Sequence, residues 1–247
     1  MLASSMNQPH PVFPPYTVDD ARREVNVTEI KYGDDRDQVL EIYADSTART
    51  STLVLVHGGY WRNLFDREHM RPLAVALTKA GYTVVLPEFR RVAGEPDVTL
   101  RDLSFALSTL EDRSITVIGY SSGGHLALVL ADKFSSVKKV IGLAPVTDLI
   151  ESQKRELGRG AVLEWLGRSA EERADLDPML RPPIAATTLF IQGALDERVP
   201  VDITERYIEA MKAHGKEIPL VILPETSHFQ MMDIPSKTFD ALIEALA

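Results

Sequence analysis

Hydrophobic and polar positions along the chain follow two alternating rhythms. STLVLVHGG (51–59), YTVVLP (82–87), SITVIGY (114–120), VKKVIGLAP (137–145), TTLFIQG (187–193) and EIPLVILP (217–224) each contain a short continuous apolar run. That is the pattern of a strand buried on both faces. Between them lie stretches whose apolar residues recur at helical spacing. In 97–110 these positions are 98, 100, 103, 106, 107 and 110, with Asp97 placed to cap. Further helices are expected over 67–80 (ended by Gly81), 122–134, 202–214 and 234–246. VNVTEIKY (25–32) and VLEIY (39–43), joined by the turn-prone GDDRD, form a hairpin at the sheet's entry.

An antiparallel entry followed by strand–helix repeats predicts an α/β fold with a mostly parallel central sheet and helices on both faces. The rhythm pauses over 147–183, which is charged and helical in tendency with no strand pattern. This stretch is expected to be a cap-like insertion over one sheet end, too short for a core of its own. Residues 1–24, rich in proline and polar residues near the start, are expected to form an irregular N-terminal arm, and 25–247 a single domain.

Composition narrows the function. At 247 residues the chain can bury a sizeable core, and a formal charge of −9 argues against nucleic acid or an anionic membrane as the main partner. There is no cysteine, which excludes disulfides, a thiolate nucleophile and a cysteine-based zinc site, and the six histidines lack metal-ligand spacing. No apolar run is long enough to span a membrane, and MLASSMNQPHPVFPP does not read as a signal peptide. A cytoplasmic protein acting on a small molecule, with no metal or organic cofactor, is the expectation.

The chemistry centres on GYSSGGH (119–125). A serine on a sharp strand-to-helix turn is exposed to substrate, and crowding favours glycine two residues before and two after it. Ser121 has Gly119 and Gly123 at those places, whereas Ser122 would need glycine where Tyr120 stands. Ser121 is therefore the candidate nucleophile, and Ser122 contributes its backbone N–H. Ligands of such sheets bind beyond the carboxyl ends of the strands, so an acid and a base should follow later strands. Asp196 follows TTLFIQG and His228 follows PLVILP, in the order Ser, Asp, His. Asp148 also follows a strand, but capping the helix that starts at DLI suits it better. Asp177 and Glu225 read as solvated acids. His57 precedes the serine; His69, His125 and His214 sit in helical patterns, and His10 in the arm. HGGYW (57–61) ends a buried strand, and its paired glycines can turn the N–H groups of Gly58, Gly59 and Tyr60 inward, beside that of Ser122, as an oxyanion hole.

A strand ending in HGG, then GxSxG, then a late Asp and His, resembles the α/β-hydrolase fold over nearly the whole chain after residue 25. More narrowly, His57, Gly58, Gly59 and Trp61, with His125 four residues after Ser121, are similar to the kynurenine formamidase (arylformamidase) family. The elbow here has Ser122 and Gly124 where such formamidases commonly carry alanine. The resemblance implies hydrolysis of an N-formyl aryl amide such as N-formylkynurenine. Tyr60 and Trp61 would then be substrate contacts, with Trp61 either an aromatic wall for the ring or a residue packing the loop against the core. A carboxylesterase for short acyl or aryl esters is the alternative enzyme, and a catalytically silent binding protein the alternative of another class.

Overall fold

The computed structural model describes residues 13–45, 51–110 and 113–247. Residues 1–12 of the arm, His10 among them, lie outside this range. Eight strands form one sheet in the order β1-β2-β4-β3-β5-β6-β7-β8. They are β1 (Val27–Lys31), β2 (Val39–Tyr43), β3 (Thr52–Val56), β4 (Thr83–Pro87), β5 (Ile115–Tyr120), β6 (Val137–Leu143), β7 (Thr187–Gly193) and β8 (Leu220–Leu223). β1–β2 and β2–β4 pair antiparallel, and every pair from β4–β3 onward is parallel. The sheet is thus mixed but mostly parallel. β3 is buried at all five positions, as its apolar run requires.

Helices cover both faces. Leu100, Leu103 and Leu107 of α3 (Pro96–Ser108), Leu126 and Leu130 of α4 (Ser122–Ala131), and Tyr207 and Met211 of α7 (Val201–Ala213) share one apolar layer. Leu73 and Leu77 of α2 (Arg71–Lys79) and Leu242 of α8 (Lys237–Leu246) belong to the layer on the other face. α3 begins one residue before Asp97, at Pro96. Proline's fixed φ suits a first helical position, which leaves Asp97 in the first turn rather than at the cap. α8 starts at Lys237, where the Ser236 hydroxyl accepts the Phe239 N–H, not at 234. No described helix is long and apolar enough to cross a membrane.

One expectation about the arm needs correction: residues Val18–Arg22 form a short helix, α1. Thr17 and Asp20 make a reciprocal capping box there, with the Thr17 hydroxyl accepting the Asp20 N–H and Asp20 accepting the Thr17 N–H. That pattern is legible as Thr-x-x-Asp, shortly after the prolines at 14 and 15.

The 147–183 stretch folds as α5 (Leu149–Lys154), α6 (Leu157–Leu166) and 3-10 turns at Ala170–Leu176 and Pro178–Leu180. Its Val162, Trp165, Leu166 and Leu176 enter the same apolar layer as α3 and α4. Asp148 caps α5, accepting the Glu151 N–H at 2.8 Å. Asp177 is not solvated as the sequence suggested. It is fully buried and accepts the N–H groups of Ile150 at 3.1 Å and Met179 at 3.0 Å. Glu225 is exposed.

A buried ion cluster clamps the antiparallel entry to the parallel sheet. Glu41, on β2 and fully buried, accepts Arg67 Nε at 2.7 Å and Arg71 Nη2 at 2.7 Å. Removing the carboxylate would strand two guanidiniums in the interior. Glu41→Ala is expected to lower the unfolding free energy by about 3–5 kcal/mol, read from denaturant midpoints at an unchanged slope.

Candidate active site

The chain brings four loops to one end of the sheet. β3 and β5 are neighbours, while the chain leaves β3 for β4 on the other side, so a crevice opens beyond the carboxyl ends of β3 and β5. The Gly58–Trp61 loop leaves β3, Ser121 follows β5, Asp196 follows β7 and His228 follows β8.

Ser121 sits on the turn into α4 with φ 55° and ψ −120°. This backbone conformation strains any residue with a Cβ, at a cost on the order of 1–3 kcal/mol. The surrounding packing holds it there. A Cβ on Gly119 would lie 2.4 Å from the Gly123 oxygen, and one on Gly123 would lie 2.1 Å from the Val56 oxygen. Glycine at both places is therefore a steric requirement of the turn. The Ser121 Oγ lies 3.0 Å from His228 Nε2, and His228 Nδ1 lies 2.7 Å from Asp196 Oδ2. Because a carboxylate can only accept, the second contact sets the tautomer: Nδ1 carries the proton and Nε2 is free to accept from the serine. The other Asp196 oxygen accepts the N–H groups of Arg198 at 2.9 Å and Val199 at 2.8 Å. The Tyr120 hydroxyl donates to the His228 carbonyl at 3.0 Å, fixing the segment that carries the imidazole.

The HGGYW loop presses directly on this turn. A Cβ on Gly58 would stand 2.8 Å from the Tyr120 oxygen and 3.0 Å from the Ser121 Cβ. Gly59, Tyr60 and Trp61 all have positive φ, at 126°, 58° and 55°. No backbone carbonyl among the described residues takes the N–H of Gly59 or Tyr60. Ser122 is the first residue of α4, where a helical N–H has no intrahelical partner. These are the donors that the sequence pointed to, and they lie around the Ser121 turn.

Two anchors hold the loop. His57 Nδ1 donates to the Gly58 carbonyl at 2.8 Å, and its Nε2 lies 3.0 Å from Glu88 Oε1 and 3.0 Å from Arg91 Nη1. Burial pushes the Glu88 carboxyl up, but His57 and Arg91 facing it outweigh this and hold it well below the usual range. Arg62 reaches into the insertion, donating to the Gly158 carbonyl at 2.8 Å and to Glu164 at 2.9 Å. Sequence reasoning missed Glu88 and Arg91. An acid directly after the buried strand TVVLP, followed by two arginines, was the available signal.

The cleft beside Ser121 and His228 is walled by Phe13, Phe65, Phe229 and Tyr60. Trp61 does not line this cleft but lines a neighbouring pocket with Tyr60, Arg62 and Arg91. Its indole stacks on Trp165 of the insertion at 4.9 Å and 12°, and the His125 ring stands edge-on to it at 5.3 Å. Tyr60 stays in the cleft wall because Gly158 has no side chain: a Cβ there would come 2.3 Å from the Tyr60 ring.

The fold and the arrangement at its carboxyl edge define an α/β-hydrolase. The sequence family described as the prolyl oligopeptidase family matches residues 100–241. The chain belongs to that family. It is similar to a kynurenine formamidase from Drosophila melanogaster, 23% identical over 86% of this chain and 77% of that one. It is also similar to acylamino-acid-releasing enzyme 1 from Oryza sativa subsp. japonica, 24% identical over 81% of this chain but only 30% of that longer protein. Among solved structures, esterase 2 of Thermogutta terrifontis, phosphonylated by sarin, has the same fold. Its TM-score is 0.72 and its identity 21%, over 90% of this chain and 94% of that one. The protein is a hydrolytic enzyme of the α/β-hydrolase type.

His125, four residues after Ser121, ties α4 to the insertion rather than entering the cleft: Nε2 donates to the Leu176 carbonyl at 2.8 Å, and the residue is fully buried. Burial pushes its pKa down to about 4. The unfolded chain therefore binds a proton there at a pH where the folded chain does not. Stability from this group is complete above its unfolded pKa and is lost as pH falls towards 4. Burial also lowers His69, to about 3, in the same sense, whereas Asp177, pushed up by burial, acts in the opposite sense. Unfolding free energy should fall between pH 6.5 and 4.5 by up to about 1.4 kcal/mol per pH unit from His125. Denaturation of His125→Gln across that window should show a correspondingly shallower slope.

Proposed function

We propose that the protein hydrolyses aryl formamides, with N-formylkynurenine as the type of substrate, by acyl transfer through Ser121. The observation that carries the mechanism is the hydrogen-bonded series from Asp196 through His228 to the Ser121 Oγ, beside backbone donors that have no carbonyl partner. His228 Nε2 takes the Ser121 proton as Oγ attacks the formyl carbon. Asp196 holds the imidazole in place and stabilises the imidazolium. The N–H groups of Ser122 and of the Gly58–Tyr60 loop hold the negative charge that develops on the carbonyl oxygen. His228 then protonates the departing aryl amine. A water molecule, deprotonated by His228, attacks the formyl ester and releases formate, which regenerates Ser121. These steps use only side chains and backbone of the chain itself.

Two features support a formyl amide. Of the relatives named above, one is by its name a formamidase and the other releases acylamino acids. The cleft at Ser121 is narrow, with an accessible volume of about 20 Å³. A formyl group, the smallest acyl group, suits that space, while the phenylalanine walls suit an aromatic ring.

Ser121→Ala should reduce kcat by about three orders of magnitude or more, with folding intact by circular dichroism. Ser122→Ala, which keeps its N–H, should retain most of the activity, and the reverse result would move the nucleophile to Ser122. The substrate assignment is tested by comparing kcat/KM for N-formylkynurenine and p-nitrophenyl acetate. A strong preference for the ester replaces the formamidase reading with that of a carboxylesterase.

A further inference from the structure

Four arginines in and after the HGGYW loop have their charge matched by carboxylates. Arg62 pairs with Glu164, Arg67 and Arg71 with Glu41, and Arg91 with Glu88. No carboxylate among the described residues pairs with the Arg198 guanidinium. Instead it lies over the ring of Phe229, 5.3 Å from its centre, and Phe229 is a wall of the cleft. Its backbone is fixed by the same turn that orients the acid, since the Arg198 N–H donates to Asp196 Oδ1 at 2.9 Å. A half-buried cation is thus held at the rim without a protein anion to neutralise it.

A second donor beside it has no acceptor. Tyr60 lines the cleft, and its hydroxyl is buried with no hydrogen-bond acceptor. A buried donor left unpaired costs on the order of 1–3 kcal/mol until something accepts from it. The Arg198 guanidinium faces the phenol oxygen, and its charge opposes the rise in the Tyr60 pKa that burial causes. Guanidinium and hydroxyl together offer several N–H and O–H donors and one positive charge, the complement of a carboxylate with its two oxygens. The chain as a whole carries a net charge of −9, so an anionic substrate meets a repelling surface and needs a local cation to be held.

We propose that Arg198 and the Tyr60 hydroxyl form a carboxylate subsite at the rim of the cleft, so that the enzyme selects aromatic substrates carrying a carboxylate over neutral ones. The proposal rests on the preceding reading for the bond that is cleaved, but not for the charge that is recognised. In it, the ring lies among the phenylalanines with its scissile group at Ser121 and its carboxylate at Arg198. Tyr60 would serve twice, through its N–H at the oxyanion and its hydroxyl at the carboxylate.

The test separates binding from turnover. Anthranilate and anthranilamide differ by a single charge, and their dissociation constants can be measured by equilibrium dialysis. The wild-type protein is expected to bind the acid about tenfold or more tightly than the amide, a preference that shrinks at high salt. Arg198→Gln should abolish that preference, Arg198→Lys should restore part of it, and Tyr60→Phe should weaken it several-fold. The ratio of kcat/KM for N-formylanthranilate over N-formylanthranilamide should follow the same order, chiefly through KM. Failure of the wild type to bind the acid, equal binding of acid and amide, or an acid preference that survives Arg198→Gln each overturns the subsite. Intact, Arg198-dependent binding of the acid without hydrolysis of either formamide would leave the subsite standing and remove the formamidase reading.

Discussion

Position 123 has no room for a Cβ, because the Val56 carbonyl would be 2.1 Å away. This close approach of α4 to the end of β3 is the constraint on which the rest of the site depends. It brings the helix N-terminus against the end of β3, where the HGG loop begins. It also holds Ser121 in a backbone conformation that a free chain would leave. Sheet order then does the rest: β7 and β8 lie on the far side of β5 and β6, and their ends deliver Asp196 and His228 to the serine.

Around that turn the protein uses charge where a smaller domain would rely on apolar packing alone. Glu41 with Arg67 and Arg71 ties the antiparallel hairpin to the segment that follows the HGGYW loop. Glu88 with Arg91 and His57 braces the loop from below. Arg62 braces it from the insertion. Three positive-φ residues in succession need this much restraint, since each would relax if the loop were free.

Much of this was legible in the sequence, and the physical reasons differ by element. The parallel strands were readable because burial on both faces leaves an uninterrupted apolar run, and β2 begins and ends where VLEIY does. The order of Ser121, Asp196 and His228 could be read because each follows such a run. The insertion was not readable in detail: Glu156 and Arg159 adopt left-handed conformations that only glycine advertises. Burial of Asp177 was hidden because its partners are backbone N–H groups, one of them from α5, 27 residues away. Glu41, Glu88 and Arg198 were hidden for a related reason. Whether a charge is matched depends on what the fold brings beside it, and sequence separation carries no trace of that. The stacking partner of Trp61, Trp165, is 104 positions further on, a separation that the sequence does not reveal.

The contact between Gly158 and Tyr60 has a consequence for how such an enzyme can diversify. The insertion meets the cleft wall at the edge of one aromatic ring and holds the loop through Arg62 and through Trp165 stacked on Trp61, while the nucleophile turn is set by β3, β5, α4 and the end of β6. Shape of the substrate chamber and power of the catalytic turn are therefore encoded in separate stretches of chain. A change at Gly158 alone would reshape the chamber wall and leave Val56, Gly119 and Gly123, which force the turn, as they are, so the chamber can be altered at one position of the insertion.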